Sequence, residues 1–106
     1  MAKYLFSASY THAGLQGVLK DGAKSRVKAI EAFAESLGGK VEAMYWSFGK
    51  SDVIVIAELP DNAAAAAFST TVAAAGVAGV KTTVLLTAAE VDSARAMRPS
   101  YRPPGA

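Results

Sequence analysis

The 106-residue sequence predicts an α+β fold, one antiparallel sheet with two helices on a single face. Three observations carry that expectation. Segments of period-two hydrophobicity alternate with segments of helical period in the order strand, helix, strand, strand, helix, strand. The stretch SFGKSDVIVIAELPD, residues 47–61, sets Val53, Val55, Ala57 and Leu59 on one side of a strand and Ile54 and Ile56 on the other, so that strand is apolar on both faces. Hydrophobic residues make up 52% of the chain against 19% charged, an excess that in a small domain signals apolar surface committed to a partner.

Residues 3–10, KYLFSASY, alternate Tyr4, Phe6, Ala8 and Tyr10 with Leu5, Ser7 and Ser9 and predict a first strand. The glycine-interrupted THAGLQGVLKDGAK that follows reads as a loop with at most one helical turn. From Lys24, a helical period places Val27, Ile30, Phe33, Ala34 and Leu37 on one stripe, with Arg26, Lys28, Glu31 and Glu35 facing away. Gly38 and Gly39 end that helix. VEAMYWSF and VIVIAEL flank GKS and read as a hairpin in which Gly49 supplies the turn. Pro60 stops the sheet, and Asp61 caps an alanine-rich helix anchored by Phe68 and Val72. Glycines 76 and 79 close it, and VKTTVLLT forms the fourth strand. Residues 1–90 thus form the domain, and residues 91–106 an extended or disordered tail that could lie across a neighbouring subunit.

With right-handed crossovers this βαββαβ order is the ferredoxin-like arrangement, both helices on one face of the sheet. The other face is left for a second copy, sheet against sheet, in the manner of a dimeric α/β barrel. The chain's expected partner is therefore itself, as a homodimer or a higher homo-oligomer.

Charge and composition exclude several classes. The net charge of +2 comes from the tail, where Arg95, Arg98 and Arg102 outweigh Asp92, and the chain through Glu90 is balanced, so no basic stripe suits a phosphate backbone and no nucleic acid partner is expected. The absence of cysteine removes disulfides and thiolate chemistry. The amino terminus resembles neither a secretory signal nor a membrane anchor, so no membrane association and a cytoplasmic location are expected. One histidine with dispersed carboxylates offers no metal spacing. Nothing around His12 argues for its serving as a haem ligand, and no cofactor is expected. Gly14 and Gly17 lack the spacing of a phosphate-cradling loop.

The topology gathers a candidate site. Strands one and three are antiparallel neighbours, which brings Tyr10, Thr11 and His12 beside Phe48, Gly49, Ser51 and Asp52, with Lys81 and Thr82 nearby. His12, the only histidine, oriented by Asp52 would be a general base, with Tyr10 or Tyr45 donating a hydrogen bond. Set against this, a single loop histidine is commonly solvent-exposed, and an aspartate in a turn commonly serves backbone groups. Tyr4, Tyr10, Tyr45, Trp46 and Phe48 either line a pocket for a small apolar or aromatic ligand between sheet and hairpin or pack a dimer. Lys24 and Arg26 read as a solvated helix face rather than an anion site.

YTHAG at 10–14, KDGAKSR at 20–26, LGGKVEAMYWSFGKSD at 37–52 and ELPD at 58–61 together resemble the GYD-domain family of the dimeric α/β-barrel group. The resemblance covers residues 4 to about 90 and implies a ferredoxin-like fold that pairs through its sheet. It implies little about activity. One departure stands out: the tyrosine of the family's Gly-x-Tyr-Asp signature is Ser51 in Gly49-Lys50-Ser51-Asp52. A small-molecule pocket with Tyr10, Tyr45, Trp46 and Ser51 as ligand contacts is the expectation. An enzyme using His12 and Asp52, a non-catalytic binding or sensing module, and a plain oligomeric scaffold all remain open.

Overall fold

The computed structural model describes all 106 residues. Four antiparallel strands, β1 (Ala2–Tyr10), β2 (Lys40–Trp46), β3 (Val53–Leu59) and β4 (Ala78–Leu85), form one open sheet in the order β2-β3-β1-β4. Four helices accompany it: α1 (His12–Asp21), α2 (Ala23–Ser36), α3 (Asn62–Ala74) and α4 (Ala88–Ala96). The fold is α+β, with the strands and both main helices where the periodicity puts them.

The alternation of β1 and β3 sorts the sheet into two faces. Tyr4, Phe6 and Ala8 of β1 and Val53, Val55, Ala57 and Leu59 of β3 are buried beneath the helices. Phe68 of α3 stacks on Phe6 at a ring-centroid distance of 4.2 Å and on Phe33 of α2 at 4.6 Å. These three rings pin both helices to one side of the sheet, where offset stacking adds about 0.5–1.5 kcal/mol per pair beyond area burial. Asp61 accepts from the Ala64 amide to cap α3, and Tyr4 donates to Asn62 at 2.7 Å, tying β1 to the first residue of that helix.

The opposite face, with Leu5, Ile54, Ile56, Ala43 and Tyr45 at its middle, carries no helix; α4 has no buried residue. At one end of this face Lys3 bridges Glu42 at 2.8 Å and Glu58 at 3.0 Å. The hydrogen bonds to Glu42 and then to Glu58 raise the Lys3 pKa, and Lys3 in turn lowers that of Glu58.

Four local expectations are corrected. β4 begins at Ala78, two residues earlier than expected, so Gly79 pairs with Ser9 inside the strand instead of closing α3. The glycine-rich stretch after β1 is not a loop but helix α1, started by the Thr11 side chain accepting from the Gly14 amide. Gly14 is buried, and a methyl there would strike the Val77 carbonyl, so this glycine permits a close helix approach rather than a turn. At the hairpin tip the left-handed residue is Phe48, at φ 49°, whereas Gly49 has no positive φ. Residues 88–96, partly inside the expected extended tail, form α4 because Thr87 and Glu90 make a reciprocal capping box.

The two glycines of α1 should respond oppositely to alanine. Gly14→Ala should destabilise the chain by roughly 1–3 kcal/mol through overpacking against backbone that cannot yield. Gly17→Ala, which meets nothing within 4 Å, should stabilise it by about 0.5–1 kcal/mol. Urea denaturation midpoints moving in opposite directions would bear this out; a tolerated Gly14→Ala would refute the close approach.

Candidate functional site

The antiparallel pairing of β1 with β3, Ala8 opposite Val53, carries the hairpin loop up beside the end of β1. Asp52 fixes the junction. Its amide donates to the Ala8 carbonyl at 2.8 Å, and its Oδ2 accepts from the Tyr10 amide at 2.8 Å. Its carboxylate therefore continues the ladder past the last paired residue, giving a backbone N–H the partner that burial demands. His12, the first residue of α1, is exposed and makes no hydrogen bond with Asp52. No group of three or more potential metal ligands is present.

Tyr10 and Trp46 are brought together. Both point to the helix side of the sheet, and the Trp46 indole donates to the Tyr10 hydroxyl at 3.0 Å. That hydroxyl has no protein acceptor for its own hydrogen. Tyr45, one residue before Trp46, falls on the open face and is largely exposed. Ser51 lies in the hairpin loop, where its carbonyl accepts from Ser47 and from Gly49; its side chain borders a polar depression on the open face with Ser7, Ser9, Lys50 and Lys81. The aromatic set expected to line one pocket is thus divided between two faces by strand alternation.

The apolar cavity lies elsewhere: between the sheet and the helix layer. A partly open hollow of about 330 Å³ is lined by Ala8 and Tyr10 of β1, Val53 of β3, Ala78 of β4, Ile30 of α2 and Val72 of α3, among other apolar groups. The space exists because the aromatic packing stops at Phe6, Phe33 and Phe68, and small residues occupy the positions beyond it. Arg26 is the one charged residue in its wall. The sequence signal for Arg26 was its spacing: it stands four residues before Ile30 and seven before Phe33, on the apolar stripe of α2 rather than the solvated face expected for it.

Burial raises the pKa of Tyr10 above the ordinary tyrosine value of about 10, against smaller opposing effects of the Trp46 hydrogen bond and the Arg26 charge. The folded chain therefore holds the phenolic proton to higher pH than the unfolded chain. The stability so contributed is fully present below the unfolded value and is lost as pH rises through the folded one. Tyr10→Phe should flatten the fall of unfolding free energy above about pH 10 relative to the parent chain in pH-dependent denaturation. Identical slopes would show the phenol to be solvated.

Comparison with known proteins follows the same outline. Searches of curated proteins and of solved structures returned no match. The family model described as GYD domain matches residues 4–94, from within β1 to within α4. The chain belongs to the GYD domain family.

Proposed function

We propose that the chain is a ligand-binding module of ferredoxin-like fold, whose helix-side cavity takes a small, largely apolar molecule and whose copies pair through the open face of the sheet. The cavity carries this reading. Its 330 Å³ falls within the range of small-molecule sites, and its wall is apolar with a few polar groups, the usual composition of such sites. The strand order β2-β3-β1-β4 supports the ferredoxin-like assignment, being the order that right-handed crossovers give a βαββαβ chain. Binding is favoured over catalysis because Asp52 is engaged by the Tyr10 amide and His12 stands exposed without it, leaving no oriented acid–base pair.

Pairing is supported by surface the chain leaves uncovered. It exposes 7092 Å², whereas a compact chain of its mass exposes about 5,600 Å². The Cα radius of gyration is 16.8 Å and the longest extent 57 Å, against a radius of about 13 Å for a compact domain of this length. Part of the excess is an arm. Helix α4 has nine residues, none of them buried, and Val91 within it and Leu86, Met97 and Tyr101 on either side of it are exposed. A helix that short is marginal in water by itself, and a second copy would supply both the missing cover for the arm and for Leu5, Ile54 and Ile56.

Two outcomes follow. A neutral apolar probe such as 1-octanol should raise the thermal midpoint by several degrees, since a ligand at about a hundred times its Kd adds about 2.7 kcal/mol. Val72→Phe should abolish the rise by filling the cavity, and His12→Ala should leave it intact; no rise in the parent chain would remove the cavity reading. In sedimentation at micromolar concentration the parent chain should travel as a pair and Ile56→Glu as a single folded chain. A parent chain that sediments singly would remove the pairing.

A further inference from the structure

Arg26 is the odd member of the cavity wall. It is half-buried in the first turn of α2, yet no carboxylate lies within salt-bridge distance of it and its guanidinium donates no hydrogen bond to the protein. Two cations of the sheet, by contrast, are paired: Lys3 with Glu42 and Glu58, and Lys40 with Glu58 at 3.5 Å. A guanidinium is always charged and presents its donors in a planar fork that matches a carboxylate. Holding it partly out of water beside apolar groups costs free energy that an anion would recover.

Its surroundings supply the rest of a recognition site. Arg26, Ala29, Ile30 and Phe33 line the same cavity from successive turns of α2, so the charge sits at one margin of an otherwise greasy space. Tyr10 lines it too; its hydroxyl accepts the Trp46 indole N–H and retains a free hydrogen to donate. Arg26 is near enough to that hydroxyl for its charge to be felt there. The polar groups of the wall are thus the Arg26 guanidinium and the Tyr10 hydroxyl, both able to donate, and the Thr71 hydroxyl, which can donate or accept; no carboxylate lines it. That combination selects against cations and in favour of acids.

We infer that the ligand is an apolar monocarboxylic acid, its carboxylate held by Arg26 and the Tyr10 hydroxyl and its hydrocarbon body in the cavity between α2, α3 and the sheet. This rests on the cavity reading above and names the chemical class of its occupant. The body supplies affinity through apolar burial, and the charged hydrogen bonds discriminate acid from neutral analogue.

Octanoate, 1-octanol and octylamine have the same chain and differ in the head group. Titrated into the full chain, with the single Trp46 as fluorescence reporter and calorimetry as a second readout, octanoate should bind about tenfold or more tighter than 1-octanol, and octylamine weakest. Arg26→Gln should bring octanoate down to the affinity of 1-octanol while leaving the 1-octanol affinity unchanged, which also shows that the variant is folded. Arg26→Lys should keep part of the preference. Equal affinities of the parent chain for octanoate and 1-octanol would overturn the inference and leave the cavity standing; failure of both to bind would overturn the cavity itself and this inference with it.

Discussion

β3 is apolar on both faces, and the helices of one chain pack on only one of them. The rest of the architecture answers to that imbalance. Even-numbered residues of β1 and odd-numbered residues of β3 enter the helix layer, because antiparallel partners share a face. The stack of Phe6, Phe68 and Phe33 then holds α2 and α3 over that layer. Leu5, Ile54 and Ile56 are turned the other way by the same pleat. No rotamer change can rescue them, since moving them inward would require slipping the register and expelling the buried set.

The helix layer is filled unevenly. Near β3's end, Tyr4, Ala57 and Leu59 are buried without bordering the cavity, and Leu59 and Ala57 are entirely buried. Toward the other end of β1 the facing positions are Ala8, Val53 and Ala78, too small to meet the helices above. The alanines of α3 let it approach the sheet, but they cannot fill a gap that opens where the aromatic side chains stop. An apolar hollow beside a hydrogen-bonded Tyr10 and Trp46 is the result.

The polar groups are shared out accordingly. Asp52 completes the backbone ladder at Tyr10, and no hydrogen bond joins it to His12. Lys3, Lys40, Glu42 and Glu58 neutralise one another at one end of the open face; such exposed pairs contribute little to stability but keep that end wettable. Arg26 lies with the hollow rather than with an acid. The residues that border the hollow are therefore not those the chain order gathers around His12: Tyr10 and Arg26 line it, and Trp46 is hydrogen-bonded to Tyr10.

The sequence by itself determined the strands, the two helices of the main layer and the two-faced character of β3, because period and propensity act locally and are read from neighbours a few residues apart. It also determined that β1 and β3 would bring Tyr10 beside Asp52. It did not reveal α1: Gly14 and Gly17 look alike as helix breakers, and only the carbonyl of Val77 lying over Gly14 explains why one of them is there. Nor did it separate Tyr45 from Trp46 in role, or place the left-handed turn on Phe48 instead of Gly49. The tertiary structure alone decided where the hollow lies and that Arg26 borders it. A cavity is what remains between elements far apart in sequence, and its existence depends on side-chain volumes meeting across a gap that no local pattern records.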